Sequence, residues 1–240
     1  MHDGDTRGAP LATPPFVIQC APPFLIARLS SPHRALGWSL LHPGFAIVSD
    51  IVWVKVRNRD LGPGVDPSML LRTRLAEAGF PDALAFMTSR DITRWRLSEA
   101  CAEDAHAACL TTVGLSNGER IGSRGHGRAA AGTINTLVRV SRPLADGALI
   151  EAISIVAEAR TAAIIESRRP TGAPSITGTG TDCIVVAAPC EGEPFWCAGL
   201  HTAVGEAIGA AVYRATREGA EEWDGENARA SEATDVGAPA

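Results

Sequence analysis

The segment from Thr133 to Ser167 constrains the fold most, because it places a strand pattern directly before a long helix pattern. In Thr133–Val140, apolar and polar residues alternate with a period of about two, which is typical of a β-strand. Pro143 ends that strand, and Asp146 is a favourable N-cap for a helix from about Gly147 to Ser167. This helix is apolar on most sides, so we expect it to be largely buried.

Further strand and helix patterns lie on both sides of this unit. Strands are predicted at Phe16–Cys20, Phe24–Leu29, Ala46–Val56, Leu84–Thr88, Cys109–Val113 and Cys183–Ala188, and Phe195–Ala198 has the composition of another short strand. Helices are predicted at Ser68–Ala78 and Thr202–Arg217. Gly118–Gly132 is rich in glycine and arginine and is typical of a mobile loop. Together these patterns predict a single-domain α/β fold in which a mixed sheet is packed with helices.

Composition sets the limits of the domain. Residues 1–15 are polar and rich in proline, and we expect a disordered N-terminal segment there. Residues 218–240 are acidic and rich in alanine, which predicts a disordered tail. The folded domain is therefore expected at residues 16–217.

Lysine is almost absent, and this excludes whole classes of mechanism. The chain has 22 basic residues, of which only Lys55 is a lysine. Schiff-base enzymes and P-loop nucleotide hydrolases need a lysine at a defined place, and Lys55 lies within an apolar strand pattern without a glycine loop before it. Arginine cannot replace it as an amine nucleophile.

Charge and hydropathy limit the kinds of partner that the protein is expected to bind. The net charge of -5 without a basic cluster argues against nucleic acid. No apolar run approaches the length of a membrane helix, and the polar start of the chain is unlike a signal peptide, so we expect a cytoplasmic protein without a membrane partner. The six cysteines form no C-x-x-C pair, and no metal site is predicted, although metal dependence and oligomeric state stay open.

The most unusual string is Thr177-Gly178-Thr179-Gly180-Thr181-Asp182, immediately before a predicted strand. Alternating glycines can expose backbone N–H groups that bind an oxyanion, and the hydroxyls and the carboxylate can orient water or an amide. The alternative is a tight, hydroxyl-rich turn with a purely local role. The pattern alone leaves both interpretations open.

Other polar residues have similarly divided interpretations. His201, at the start of the last predicted helix, is either a general base or a structural histidine. Glu158 is either an interior carboxylate suited to proton transfer or part of a solvent-facing helix edge. Asn58, Asn117 and Asn135 lie at or near predicted strand ends, where their amides can read a polar ligand or simply form turns.

Several of these strings occur together in a specific order. They are Thr112–Asn117, Gly132–Asn135, Glu158–Ala162, Thr177–Asp182 and Gly199–Thr202 with Gly205. In order and spacing they resemble the adenosylcobinamide amidohydrolase family, over about Phe16 to Arg217. Arg160 departs from the family, which usually has lysine there.

The resemblance implies a hydrolase that cleaves the amide between a corrin-ring propionate and aminopropanol in adenosylcobinamide. The products would be adenosylcobyric acid, which re-enters coenzyme B12 synthesis, and 1-amino-2-propanol. Our hypothesis for the chemistry is that Asp182 and His201 activate water and protonate the amine, with Glu158 as a second carboxylate.

In the same hypothesis the Thr177–Thr181 segment holds the carbonyl, and Asn117 and Asn135 bind the amide-rich rim of the corrinoid, with Asn58 as a further contact. The rival mechanism has Thr179 or Thr181 as the nucleophile. The alternative functions are a non-catalytic corrinoid sensor or carrier, and an amidohydrolase for another amide-bearing cofactor.

Overall fold

A computed structural model describes residues 14–123, 132–168 and 175–235, with side chains described as far as residue 229. The described residues form three helices, an eight-stranded sheet and a separate two-stranded ribbon. The sheet strands are β1 (Val17–Ala21), β2 (Phe24–Gly37), β3 (Gly44–Lys55), β4 (Leu84–Thr88), β5 (Trp95–Ala102), β6 (Ala105–Val113), β8 (Ile134–Val140) and β10 (Cys183–Pro189). The ribbon strands are β7 (Gly118–Glu119) and β9 (Gly178–Thr179), and the helices are α1 (Pro67–Glu77), α2 (Asp146–Arg168) and α3 (Ala203–Asp235).

The sheet is mixed, as the sequence predicts. Its strand order is β4-β3-β2-β10-β8-β6-β5, and β1 pairs with the first half of β2. The pairs β3–β4 and β8–β10 are parallel, and the other pairs in the sheet are antiparallel. The strand and helix predicted from Thr133 onward are confirmed as β8 and α2, and the chain then returns to the sheet as β10, parallel to β8. The predicted single-domain α/β fold is therefore confirmed.

The sheet curls so that its two halves face each other. Side chains from β2, β3 and β4 share one core with side chains from β6, β8 and β10, and Trp53 and Phe86 meet inside it with ring centroids 4.8 Å apart. The opposite face of β6, β8 and β10 is covered by α2 and α3, and the outer face of β3 and β4 by α1. All nine residues of β6 are buried, because this strand is covered on both faces.

Three short segments differ from the sequence prediction. No strand is predicted between Leu84–Thr88 and Cys109–Val113, but the chain there forms a single 3₁₀ turn and then β5, an edge strand whose partly exposed, charged side chains conceal its strand character. Phe195–Ala198 does not form a strand, because only Phe195 bridges the main chain, to Leu144. Residues 118–123 of the predicted mobile loop form β7 and a bridge between Arg120 and Ser123, while residues 124–131 lie outside the described part.

The prediction of a disordered tail from residue 218 is wrong, because α3 continues to Asp235. The acidic residues of this extension face arginines on another part of the chain. Glu222 pairs with Arg90, Arg94 and Arg96, and the Arg90 guanidinium also lies 4.9 Å from the Trp223 ring centroid. Ion pairs formed across the fold, which composition does not reveal, hold the helix in place. Residues 1–13 and 236–240 of the predicted disordered ends lie outside the described residues.

Across the described part of the chain, no helix carries a stretch that is both long and apolar enough to span a bilayer.

Because the extension of α3 is packed, we expect substitutions at two neighbouring glutamates to change the free energy of unfolding by unequal amounts. Glu222→Gln should lower the free energy of unfolding by about 1–3 kcal/mol, because the Arg90 side chain, only 6% exposed, loses a charged acceptor. Urea unfolding measures this change. The matched control is Glu221→Gln, whose half-exposed pair with Arg217 should contribute almost nothing. Equal effects at both positions would contradict the packed helix.

Because His33 is buried, we expect the protein to lose stability at mildly acidic pH. The ring is buried on β2, Nδ1 donates to the Ser31 carbonyl at 2.8 Å, and Nε2 accepts from Arg139 at 3.4 Å. Burial lowers the pKa of His33, the Ser31 bond opposes this, and the Arg139 charge lowers it further. Since the folded pKa lies below the unfolded value of about 6.5, the contribution is present above that pH and is lost as the pH falls.

The measurement is the free energy of unfolding between pH 7.5 and 5. His33→Gln should reduce the slope of stability against pH relative to the wild-type protein, because the buried ring no longer titrates. An unchanged slope in His33→Gln would refute the assignment.

Candidate active site

A cleft of about 1030 Å³ opens where the ends of β3 and β4 approach the segments that precede β8 and β10. This volume is at the upper end of the range for small-molecule sites, roughly 300–1,000 Å³. The lining residues come from the turn after β2, the ends of β3 and β4, the start of α1 and three loops: Trp38, Ser39, Leu40, Val56, Asn58, Leu61, Pro67, Ala85, Met87, Thr88, Ser89, Asn117, Gly132, Thr133, Gly180, Thr181, Asp182 and Cys183. The second half of the predicted threonine-glycine string therefore forms part of the wall.

Asp182 organises this wall. Its carboxylate accepts hydrogen bonds from the backbone N–H of Ile134 at 3.1 Å and of Thr179 at 3.0 Å, and from the Thr179 hydroxyl. It also pairs with Arg160 of α2 at 2.9 Å, and the Asp182 side chain is only 8% exposed. A carboxylate offers about four acceptor sites, so these contacts occupy all of them. Asp182 thus joins β8, the ribbon and α2 at one point.

The glycines of the string are required by close contacts. A Cβ atom on Gly178 would lie 2.6 Å from Oδ2 of Asp182, and one on Gly180 would lie 3.2 Å from Nδ2 of Asn117. Gly132, on the neighbouring segment, would meet the Ser116 hydroxyl at 2.5 Å. The glycines therefore make room for a side chain that passes close to the main chain.

Three backbone N–H groups of the string are engaged within the protein and are not free to bind an oxyanion. The N–H of Thr177 donates to the Glu119 carbonyl, that of Thr179 to Asp182, and that of Gly180 to the Asn117 carbonyl. The Thr177 hydroxyl is also engaged, because it accepts from Ile121 N–H at 2.8 Å. These groups hold the loop in shape, and any donor to an oxyanion must come from other groups that line the cleft.

The three predicted asparagines have different surroundings. Asn58, at the start of a 3₁₀ turn after β3, is exposed and lines the cleft. Asn117 also lines it, and its amide has no hydrogen-bond partner among the described residues. Asn135 is fully buried, and its amide donates to the Met87 carbonyl at 3.1 Å. Asn135 therefore fastens β8 to β4 beneath the cleft and does not line it.

The structure does not bring His201 or Glu158 to Asp182. His201 is exposed just before α3, near the start of α2, because Glu151 of α2 accepts from the Ala198 N–H at 2.6 Å. α3 approaches β6 at the cleft end of the sheet only near Gly219, which packs against Val113. At 1.5 Å per residue, Gly219 lies roughly 24 Å along the helix from Ala203.

Glu158 is exposed on α2 and is absent from the cleft wall. The predicted joint action of Asp182, His201 and Glu158 is therefore not supported by the geometry.

The sequence profile of the adenosylcobinamide amidohydrolase family (CbiZ) matches residues 13–228. The chain belongs to this family. A curated relative from Halobacterium salinarum, named adenosylcobinamide amidohydrolase, is 33% identical over 154 residues. That alignment covers 60% of this chain and 62% of the relative, so the chain spans less than two thirds of the relative's length.

A solved structure, that of the PH0078 protein from Pyrococcus horikoshii OT3, is 12% identical, with a TM-score of 0.40 over 82% of this chain and 76% of that one. This likeness is too distant to bear on the site.

Several cleft residues of this family member were missed by the sequence analysis. Thr88 is the last residue of the buried strand β4 and Ser89 follows it, and polar residues at such a strand end commonly form sites, so the sequence carried this signal. Trp38 and Thr133 join the wall through contacts made across the fold. Trp38 donates from Nε1 to the Asp182 carbonyl at 2.6 Å, and the Thr133 hydroxyl donates to the Thr181 carbonyl at 2.7 Å.

Hydroxyl and thiol groups near Asp182 differ in their readiness to react. The Thr179 hydroxyl donates to Asp182, which is the nucleophile–base contact that covalent catalysis requires, although Thr179 is not part of the cleft wall. The Thr181 hydroxyl lines the cleft but donates to the Gly132 carbonyl, which is not a base. Burial, with a smaller effect of the Asp182 charge, raises the pKa of Cys183 to about 11, so its thiol stays protonated at neutral pH.

Within the described ranges, no three His, Cys, Asp or Glu side chains are grouped closely enough to hold a metal ion.

The contact between Gly178 and Asp182 makes the site sensitive to one added methyl group. Gly178→Ala should cost about 1–3 kcal/mol of stability, because the new Cβ would force the carboxylate from its partners. Chemical unfolding measures the loss, and hydrogen exchange at the Thr179 amide should increase. The control is Gly147→Ala on α2, where a Cβ meets no atom within 4 Å and should not destabilise. Similar losses in both variants would refute the close contact.

Proposed function

We propose that this protein hydrolyses adenosylcobinamide to adenosylcobyric acid and 1-amino-2-propanol, as a step of corrinoid salvage for coenzyme B12 synthesis. The bond that breaks is the amide between the corrin-ring propionate and aminopropanol. One observation carries the proposal: in a chain whose family match runs from residue 13 to 228, the threonine-glycine string forms part of a large cleft. A corrinoid is a large substrate, and the cleft volume agrees with one.

In this proposal the scissile amide lies against Gly180, Thr181 and Asp182. The Asn117 amide lies beside Gly180 and can donate to the carbonyl oxygen as it gains negative charge. Asn58 is placed to bind another of the amides at the periphery of the corrinoid. The buried Asn135 has a supporting role.

Asp182 is the shared element of both candidate mechanisms. In the first, it releases the Thr179 hydroxyl when substrate enters, accepts a proton from the attacking water and passes it to the departing amine. In the second, it accepts the proton of Thr179 and passes it to the amine, which leaves as the Thr179 oxygen forms an ester with the propionate; water then cleaves this ester. Both routes end with one water consumed, the C–N bond broken and a carboxylate formed.

Arg160 supports Asp182 in either route. Its guanidinium pairs with the carboxylate, and the Arg160 side chain is only 13% exposed. Because arginine keeps its proton, this residue orients the carboxylate and takes no proton itself.

The decisive variant is Asp182→Asn. It keeps the shape of the side chain but removes the proton acceptor and the charge that pairs with Arg160, so kcat/KM should fall by about 100-fold or more. The assay is formation of the new corrinoid carboxylate from adenosylcobinamide by purified protein. Asp104→Asn, at an exposed ion pair on the surface, is the matched control and should keep full activity.

The same assay tests the residues that the fold separates from the cleft. Activity should persist in His201→Ala and Glu158→Ala, since both side chains lie outside the cleft wall. Full activity in Asp182→Asn, or its loss in His201→Ala, would overturn the assignment.

Single-turnover hydrolysis distinguishes the two mechanisms. The reaction is quenched within one turnover, and peptides that contain Thr179 and Thr181 are searched for an attached corrinoid acyl group. An adduct on either threonine would exclude the direct attack of water. Tight binding of adenosylcobinamide without any product would instead indicate a non-catalytic corrinoid sensor or carrier. If the protein hydrolyses only a different amide-bearing cofactor, that cofactor and not adenosylcobinamide is its substrate.

A further inference from the structure

The two sides of the cleft differ in chemistry. Part of the cleft lining is apolar and consists of Trp38, Leu40, Val56, Leu61, Ala85 and Met87. Three of these side chains stay well exposed: Trp38 at 41%, Leu40 at 50% and Leu61 at 36%. We call these three residues the apolar lip. Large exposed apolar side chains that share a cleft are typical of a binding surface rather than of ordinary protein exterior.

The indole of Trp38 is held in place by the last residue of the threonine-glycine string. Its Nε1 donates to the backbone carbonyl of Asp182 at 2.6 Å, so its polar atom is satisfied within the protein. The remaining surface of the ring is apolar and lines the cleft. A tryptophan fixed in this way offers a large contact area at a low cost in conformational entropy.

We propose that the apolar lip is the docking surface for the conjugated macrocycle of the substrate, and that Trp38 determines specificity for amides that carry such a ring. This rests on the proposed function. The ring lies against Trp38, and its amide-bearing arm reaches the adjoining Gly180–Asp182 wall. Because one hydrogen bond connects Trp38 to Asp182, the position of the bound ring is coupled to the position of the reacting amide.

The chemistry of the cleft wall explains why the macrocycle, and not the peripheral amides, is placed at the apolar lip. Amide groups on the periphery find a donor and an acceptor at the Asn117 amide and hydroxyl acceptors at Thr133 and Thr181, whereas the side chains of the lip offer only the Trp38 N–H, which is already bonded. Burial of a planar apolar surface against the lip is favourable because that surface is removed from water, whereas a peripheral amide would find no hydrogen-bond partner among the side chains there.

The test measures binding of adenosylcobyric acid, the proposed product, which keeps the macrocycle and its peripheral amides but lacks the aminopropanol amide that is cleaved. Full-length protein is titrated with it, and the dissociation constant is compared among Trp38→Ala, Trp38→Phe and wild type. Trp38→Ala should raise the dissociation constant about tenfold or more, as removal of a central aromatic anchor does. Trp38→Phe loses the Nε1 hydrogen bond but keeps aromatic surface, and should retain most of the affinity.

Trp196→Ala is the matched control, since Trp196 is 74% exposed in the segment before α3, far from the cleft. It should bind and hydrolyse like wild type. In Trp38→Ala the KM for adenosylcobinamide should rise together with the dissociation constant of the product.

The outcomes separate this inference from the proposed function. If wild type hydrolyses adenosylcobinamide and Trp38→Ala binds adenosylcobyric acid with unchanged affinity, the lip is not the ring site. The same conclusion follows if Trp38→Phe loses as much affinity as Trp38→Ala, because the hydrogen bond and not the apolar surface would then be responsible. If wild type neither hydrolyses adenosylcobinamide nor binds the product, the proposed function itself fails.

Discussion

The carboxylate of Asp182 is the contact on which the candidate site depends. Four bonds converge on it from Ile134 at the start of β8, from Thr179 in the ribbon and from Arg160 on α2. A buried carboxylate is stable only when its charge is compensated and its acceptors are satisfied, so these partners must assemble together. The surrounding glycines follow from this requirement, since Gly178 leaves the space that the carboxylate occupies. The cleft wall is therefore shaped by the need to compensate one charge.

The extension of α3 braces the other side of the cleft. Ser89, which lines the cleft, directly precedes Arg90, whose guanidinium is nearly buried between Glu222, Glu226 and Trp223. The acidic end of the chain is thus part of the structure that supports the site. The Asp182 contacts and this brace follow one pattern, in which arginines neutralise carboxylates from distant parts of the sequence. A chain with a single lysine uses arginine for these contacts, and its guanidinium can bond several acceptors at once.

Sequence reasoning succeeded where a local pattern has one structural solution. The period-two alternation after Thr133 and the apolar helix after Asp146 became β8 and α2, close to the predicted bounds. The string from Thr177 to Asp182 was singled out for its glycines, and half of it lines the cleft. The same approach could not place His201 in the fold, because a histidine at a helix start has the same local signature whether the helix begins at the site or at the far end of the sheet.

The sequence by itself determined the fold class and the family and singled out the threonine-glycine string, because periodicity and motif order are properties of neighbouring residues. Only the tertiary structure decided which side chains share the cleft. It turned the N–H groups of Thr179 and Gly180 inward and buried Asn135 beneath the floor. It also placed Trp38 against Asp182, 144 positions away in the chain. The physical reason is that strand order and sheet curvature, which no local pattern encodes, set the distances between segments that lie far apart in the sequence.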